Sequence, residues 1–240
     1  MHLGAAFYQL YIKIYYIGLY ANILLFIWIG TLSAGDAAQF VTMGWSSDSQ
    51  YYAFAQFGIL DGSGFPYAEL FIVDVQRNEF VQEGTFTNVW EDVDDTPANG
   101  LDVLIEVLGE SDSMRKYLSI RPRMFGNFMN LCRNADNDTV KWKNSNQDTI
   151  TIVCEQKHVG SKYEYDIKSS FCLKILVNNR FYKYIGNPER LRNGVIRYDI
   201  DSVLRSRDGN MFVIVIKKTE LGFEGPSIRY MVETFTTNDL

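Results

Sequence analysis

Short runs of alternating apolar and polar residues fill the C-terminal half of the chain and constrain its fold more than any other feature. Tyr163, Tyr165 and Ile167 alternate strictly with charged residues. A period of two places the two sets of side chains on opposite faces of a β-strand. Turn formers such as Asn178-Asn179 separate the runs. We therefore predict a mainly β fold of antiparallel sheets, either sandwich-like or propeller-like. Further runs lie at 149–154, 173–177, 181–185, 195–200, 211–217 and 229–235.

A strand–loop–strand unit is predicted in the first half of the chain. Residues 51–57 and 70–75 are apolar and rich in residues with high β propensity, and the loop between them contains Gly62, Gly64 and Pro66. Because this loop is longer than the two residues that a tight hairpin needs, we interpret it as a candidate binding surface.

The contact side chains of that candidate binding surface are predicted to be Asp61, Phe65 and Tyr67, which supply one hydrogen-bond acceptor and two rings. The alternative interpretation is that the loop is only a connection. In that case Phe65 and Tyr67 fold back and cover the edge of the sheet.

One short amphipathic helix is predicted to pack on the sheets. Thr96-Pro97 would open it, since Thr can cap a helix and Pro suits its first turn, and Gly109 would end it. The acidic run at 91–95 could bind Ca²⁺, but it lacks the spacing of an EF-hand. We interpret these acidic side chains as stabilising the helix through its dipole, because they precede its N-terminus. The pattern also allows a second helical turn at 114–118. The predicted apolar stripe of the helix is Leu101, Leu104, Ile105 and Leu108.

The N-terminal region has the pattern of a targeting segment. Residues 14–32 carry no charge, Lys13 precedes them, and small residues follow at 33–35. This is typical of a helical signal peptide, and we predict cleavage after Ala34. The alternative is an uncleaved membrane anchor, because the run is long enough to span a bilayer. Residues 35–240 are predicted to form a single, mostly β, secreted domain, with 14–32 as the only membrane contact if uncleaved.

Composition and cysteine placement narrow the classes of site. The net charge is −6 and the pI about 5.0, with no basic stripe, which argues against a nucleic-acid partner. Three cysteines and two histidines match no metal-ligand spacing, and no G-x-S-x-G elbow or phosphate loop is present. We expect no cofactor, no metal and no catalytic set. Cys154 and Cys172 fall on opposite strand faces, so no disulfide between them is predicted.

Two stretches at opposite ends of the chain resemble one another. Each has a polar turn centred on an aspartate, Asp48 or Asp208, then an apolar strand, a loop with Gly and Pro, and a second strand. We interpret both aspartates as turn formers. These units resemble the strand-turn-strand repeats of TolB-type β-propellers, although a repeat array usually needs at least three copies.

A wider resemblance covers nearly the whole predicted mature chain. It rests on the stretches GDAAQFVTMGWSSDSQYYAFAQFG from Gly35, PYAELFIVDVQRNEFV from Pro66, YIGNPERLRNGVIRYDI from Tyr184 and RYMVETF from Arg229. They are similar to a family of predicted secreted bacterial proteins of unknown function. The resemblance implies export and brings no assigned catalytic residue.

Two functions are consistent with this sequence. The leading hypothesis is a non-enzymatic binding or scaffold protein of the bacterial cell envelope, periplasmic or secreted, with another envelope protein as its candidate partner. The alternative is a hydrolase that acts on an envelope polymer through carboxylates such as Asp61, Glu69 and Asp74. A deep cleft with two converging carboxylates would favour the enzyme, and a shallow surface with exposed aromatic rings would favour the binding protein.

Overall fold

The computed structural model describes residues 35–91, 99–121, 126–144, 146–161 and 166–236. This part of the chain contains three antiparallel sheets and two helices, which confirms the predicted mainly β fold. The predicted run at 163–167 is not tested as a whole, because residues 162–165 lie outside the described ranges, and residues 166–167 precede the strand that begins at Lys168. The predicted signal segment, residues 1–34, lies outside the described residues. None of the described helices is long and apolar enough to cross a membrane.

The first sheet is a meander in which the strands pair in chain order. Its strands are β1 (Gln39–Trp45), β2 (Tyr51–Ile59), β3 (Pro66–Asp74) and β4 (Glu79–Val89). The β3–β4 turn has Asn78 at φ 56°, a conformation that asparagine tolerates better than most residues. Strand β3 begins at Pro66, four residues before the predicted run at 70–75. Strand β4 was not predicted from the sequence.

The strands of the second sheet are β6 (Cys132–Arg133), β7 (Thr139–Lys143), β8 (Thr149–Val159), β9 (Lys168–Val177), β10 (Arg180–Ile185) and β11 (Arg192–Asn193). Their order is β10-β9-β8-β7-β6, with the short strand β11 beside β9. Asn178 and Asn179 link β9 to β10, both with positive φ, as the two-residue turn of a hairpin requires.

The strands of the third sheet are β5 (Asn127–Phe128), β12 (Val195–Arg205), β13 (Met211–Glu220) and β14 (Ser227–Thr236). Their order is β14-β13-β12-β5, and the sheet also receives the start of the described chain. Ala37 forms a parallel bridge with Ile228, and the Ala38 amide donates to the Ile228 carbonyl over 3.1 Å. The first described residues are thus fastened to β14 before the chain enters the first sheet.

The third sheet is buried on both faces. Ile214 and neighbouring side chains pack against the second sheet, whereas Val213 and Val215 pack against Tyr52 and Phe54 of the first sheet. This explains why residues 212–216 are apolar without alternation. The opposite face of the first sheet packs against the helices. The layers are therefore helices, first sheet, third sheet and second sheet, and a propeller is not confirmed by this arrangement.

Helix α1 (Gly100–Glu110) begins with a capping box. The Asn99 side chain accepts hydrogen bonds from the amides of Leu101 and Asp102, and the Asp102 carboxylate accepts one from the Asn99 amide. The predicted start at Thr96-Pro97 lies outside the described residues. Gly109 does not end the helix, because the Ser111 amide still donates to the carbonyl of Val107.

The predicted apolar stripe of α1 is wrong in part. Gly100, Val103, Leu104 and Val107 face the first sheet, whereas Leu101 and Ile105 are 50% and 62% exposed. A second helix, α2 (Asp112–Tyr117), follows directly, at the position where a helical turn was allowed by the sequence.

The cysteines are placed as the strand phases predict. Strands β8 and β9 pair Cys154 with Leu173 and Glu155 with Cys172, so the two buried thiols point to opposite faces of the sheet. Both are free, and Cys132 is free and exposed. The prediction that Cys154 and Cys172 are not bridged is confirmed.

Candidate binding cleft at the junction of the three sheets

The loop predicted as a binding surface is closed by its own backbone. The Leu60 amide donates to the Phe65 carbonyl over 2.8 Å, and the Gly64 amide donates to the Leu60 carbonyl over 3.0 Å. The Asp61 carboxylate accepts a hydrogen bond of 2.8 Å from the Glu224 amide, which ties the loop to the turn before β14. Asp61 and Phe65 are partly exposed. The structure therefore leaves both side chains within reach of solvent.

Tyr67 is placed differently, since it lies within β3 and is only 3% exposed. The guanidinium carbon of Arg229 lies 4.7 Å from the centroid of its ring, a cation–π geometry. Arg229 also donates to the carboxylate of Asp36, whose side chain is 1% exposed. Burial raises the pKa of Asp36 although Arg229 acts in the opposite direction, and burial also raises the pKa of Tyr67. The Tyr67 ring thus covers a buried ion pair that fastens the first described residues to β14.

The two resembling turns form matching hydrogen-bonded structures. Ser46 donates to Asp48 and accepts from the Tyr51 amide over 2.9 Å. Ser206 donates to Asp208 and accepts from the Met211 amide over 3.0 Å. The hydrogen bond from Ser46 holds the pKa of Asp48 below its ordinary value despite partial burial. Both aspartates also accept backbone amides, which confirms their role as turn formers.

A third copy of this turn lies between β6 and β7. The Asn134 amide donates to the Thr139 carbonyl, the Asn137 amide donates to the Asn134 carbonyl, and the Thr139 amide donates to the Asn134 side chain. Asn137 has φ 55°, as Ser49 and Gly209 have φ 62° and 83° at the same point of their turns. Each sheet thus carries one such turn. The sequence did not reveal this copy because asparagine replaces serine.

All three sheets meet around a cleft of about 340 Å³. Residues of β2, β3 and β4 form one wall, and residues of β13 and β14 form the other. Arg192 of β11 and Arg190 of the turn before it also reach the cleft. A neighbouring cleft of about 180 Å³ shares Phe80, Arg190, Arg192 and Met231 with the first. The two spaces therefore share one mouth.

The floor of this cleft is held by Gln56, which is 3% exposed. Its side-chain nitrogen donates to Glu69 over 2.6 Å, and its side-chain oxygen accepts from the Tyr230 amide over 2.7 Å. The first bond lies within the first sheet and the second reaches the third sheet. Gln56 therefore fixes the two walls relative to each other.

An exposed ring and an exposed cation lie at the mouth. Phe80 is 53% exposed and stacks on Phe71 with 5.4 Å between the ring centroids. The Arg190 side chain is exposed and makes no hydrogen bond or ion pair with any residue that the structure describes. Arg192, by contrast, lies over Phe171 and Tyr198 at 5.1 and 5.9 Å. The sequence analysis did not identify Phe80 and Arg190. Phe80 lies in β4, a strand that was not predicted, and Arg190 lies in a polar turn.

The carboxylates proposed for a hydrolase are not brought together as a set. Asp74 accepts a hydrogen bond of 3.0 Å from the Arg77 amide, and Asp61 is bonded to Glu224. Glu69 and Glu220 both line the cleft, but Glu220 pairs with Lys218 at 2.7 Å and Glu69 accepts from Gln56. Within the described ranges, no group of three His, Cys, Asp or Glu side chains could hold a metal ion.

Comparison with known proteins agrees with the resemblance seen in the sequence. No curated protein and no solved structure matches this chain. The model of the family described as "Predicted secreted protein (DUF2259)" matches residues 53–236, which include most of β2, all of β3 to β14 and every side chain that lines the cleft. The chain therefore belongs to the DUF2259 family of predicted secreted proteins.

Proposed function

We propose that the protein is an exported, non-enzymatic binding protein of the bacterial envelope, and that the cleft at the junction of the three sheets binds an extended segment of another envelope protein. The observation that carries the proposal is the presence of an exposed ring, Phe80, beside the exposed guanidinium of Arg190, which makes no hydrogen bond or ion pair within the described part of the chain. Both lie at the mouth of a cleft whose walls Gln56 fixes.

The chemistry of the mouth defines the class of segment. A guanidinium fork suits a carboxylate, and an exposed ring suits an apolar or aromatic side chain. Aromatic and arginine side chains also supply most of the binding energy at protein interfaces. An acidic residue next to an aromatic or apolar one is therefore the expected recognition element.

The loop with Asp61 and Phe65 is a second contact surface in this proposal. Gly62 lies beside Phe223, which is 80% exposed, and the bond from the Glu224 amide to Asp61 holds the two loops together. The exposed Phe223 ring thus lies beside the loop that carries Asp61 and the partly exposed Phe65. Tyr67 does not contact the partner in this proposal. It packs against Arg229 and so fixes β3, the strand that follows this loop.

The engagement of Glu69 and Glu220 favours binding over hydrolysis. A glycosidase needs one carboxyl group free to donate a proton and a second one free to attack or to activate water. Here Gln56 and Lys218 already occupy these two carboxylates.

The test is a crosslinked pull-down of the exported protein from its own cells. The variant Phe80→Ser with Arg190→Glu should lose at least about tenfold of the captured partner, because each such contact is worth about 1–2 kcal/mol or more. The matched control is Phe128→Ser with Arg207→Glu, since Phe128 is 58% exposed, Arg207 is also exposed, and neither lines this cleft.

Equal loss in the control, or full capture by the cleft variant, would overturn the proposal. Thermal melting of both variants shows whether they are folded. A variant with Glu69→Gln and Glu220→Gln that abolished hydrolysis of an envelope polymer would establish the enzyme instead.

A further inference from the structure

The outer face of the second sheet differs in charge from the rest of the protein. Strand pairing places Lys141 opposite Thr151, Lys157 opposite Ser170, and Lys168 opposite Val159, and residues directly opposite each other share a face. The other face carries the apolar core side chains of the same strands, such as Ile152 and Leu173. The lysines that share the outer face, called the lysine face below, are Lys141, Lys143, Lys157, Lys168 and Lys174.

The lysine face opposes the charge of the chain as a whole. The whole chain has 29 acidic and 23 basic residues. On this face, however, strands β7, β8 and β9 present five lysines against one carboxylate, Glu155, which lies 3.3 Å from Lys174. The other four lysines are exposed. Segregation of positive charge in an acidic protein produces a local field that attracts an anionic partner.

Two exposed rings lie at one edge of this face. In the edge strand β10, Phe181 pairs with Leu176 and Tyr184 pairs with Lys174, so both rings are on the lysine side of the sheet. Phe181 is 55% and Tyr184 50% exposed, and their centroids are 5.0 Å apart. The face therefore combines dispersed ammonium groups with a small apolar edge.

We propose that the lysine face docks the exported protein on an anionic phospholipid surface, with Phe181 and Tyr184 at the level of the headgroups. Lysine is a compact point charge on a flexible stem, which suits dispersed headgroup phosphates better than one fixed bidentate ligand. The charges are spread over three neighbouring strands about 5 Å apart, so the face matches a broad surface and not a narrow segment. Phenylalanine and tyrosine side chains partition into membrane interfaces.

The experiment is co-sedimentation of the exported protein, purified from its own cells, with vesicles of phosphatidylcholine alone or with about 30% phosphatidylglycerol. Binding to the anionic vesicles and release by salt are expected, because interfacial attraction is screened within about 10 Å at 0.1 M ionic strength. The variant Lys141→Glu, Lys143→Glu, Lys157→Glu should bind about 100-fold more weakly, since each lysine near an anionic membrane contributes roughly fivefold.

The matched control reverses three other exposed charges: Arg77→Glu, Lys116→Glu and Arg207→Glu. It has the same net charge as the lysine-face variant and should bind vesicles within about threefold of the unmodified protein. Phe181→Ser with Tyr184→Ser should also weaken binding, by a smaller factor. The cleft variant Phe80→Ser, Arg190→Glu should bind vesicles almost normally, which separates this proposal from the proposed function.

Three results would overturn the proposal. The first is equal sedimentation of the unmodified protein with neutral and anionic vesicles, and the second is a loss of binding in the control as large as in the lysine-face variant. In the third result, the unmodified protein binds no vesicles but crosslinks to an acidic protein, and the lysine-face variant loses that crosslink. That outcome would assign the face to a protein partner.

Discussion

Phe65 and Tyr67 lie two residues apart but in different environments. Phe65 is partly exposed at the end of the loop, whereas Tyr67 packs beneath Arg229 and is 3% exposed. We expect Tyr67→Ala to lower the free energy of unfolding by about 3–5 kcal/mol, the range for deleting a buried ring. Phe65→Ala should cost less than about 1 kcal/mol. Urea denaturation of both variants measures the difference, and equal costs would contradict the buried role of Tyr67.

Glu233 is a buried carboxyl group on β14. Its side chain accepts a hydrogen bond from Asn78, whose oxygen in turn accepts from the Thr234 amide over 2.7 Å. Burial raises the pKa of Glu233 above its ordinary value of 4.5, although the bond from Asn78 opposes this shift. The folded protein therefore binds this proton more tightly than the unfolded chain. The stabilisation is present below about pH 4.5 and is lost as the pH rises through the folded-state pKa.

Glu233→Gln should abolish the loss of stability at high pH, because glutamine does not ionise. The side-chain oxygen of the glutamine can still accept the hydrogen bond from Asn78. The variant is expected to be more stable than the unmodified protein at pH 8, with the gap narrowing toward pH 4. Urea unfolding at several pH values measures the gap, with the exposed Glu79→Gln as the control. A gap independent of pH would show that ionisation of Glu233 does not limit stability.

At the scale of elements, α1 shows why a correct helix can be given the wrong buried face. Its sequence has apolar residues around most of its circumference, so the periodicity supports more than one stripe. The structure selects the face with Gly100, because an added Cβ there would lie 2.6 Å from the Gly58 carbonyl oxygen. Close approach to β2 at glycine, and not the most apolar stripe, therefore orients the helix.

This close approach predicts opposite effects for two glycines of the same helix. Gly100→Ala should destabilise the protein by about 1–3 kcal/mol, since the backbone of Gly58 cannot move aside easily. Gly109→Ala should stabilise it by about 0.5–1 kcal/mol, because nothing lies within 4 Å of the added Cβ and alanine favours helix. Differential scanning calorimetry should show melting shifts of opposite sign. A stabilising Gly100→Ala would refute the proposed contact.

Strands β4 to β6 show the limit of local sequence patterns. Strand β4 is largely exposed and polar, and β5 and β6 have two residues each, so none has a clear apolar alternation. Strand β5 forms because the distant strand β12 pairs with it, whereas β4 pairs with β3 and β6 pairs with β7, their neighbours in the chain. The cleft depends on long-range contacts like the pairing of β5 with β12. Gln56, Phe80 and Arg190 come from separate segments, and no local pattern marks them as neighbours.

At the scale of the whole molecule, the third sheet joins the other two and the start of the described chain closes on it. The Ile228 amide donates to the Asp36 carbonyl over 2.7 Å, and Arg229 donates to the Asp36 carboxylate. The continuous apolar run of β13 is the sequence feature that corresponds to this central position. The run alone does not predict that β13 lies in a central sheet, because an isolated apolar run is equally consistent with other buried strands.

The fastening at Asp36 bears on the predicted cleavage after Ala34. Gly35 packs so closely that an added Cβ would lie 1.9 Å from the Pro226 carbonyl oxygen, and hydrogen bonding to β14 begins at the next residue. A chain that begins at Gly35 would keep every one of these contacts. We therefore expect the native protein to have the intact mass of residues 35–240 and to fractionate as soluble at high salt, which screens contacts between the lysine face and lipid headgroups.

A shortened chain that begins at Gln39 provides the matched comparison. It loses the hydrogen bonds between Ala38 or Asp36 and Ile228 and leaves Arg229 without its buried carboxylate. Removing one partner of a buried pair typically costs about 3–5 kcal/mol, so this chain should melt well below the chain that begins at Gly35. Equal melting temperatures would show that residues 35–38 do not fasten the fold. A full-length mass in the membrane fraction would establish the uncleaved anchor, because the segment at 14–32 would then have been retained.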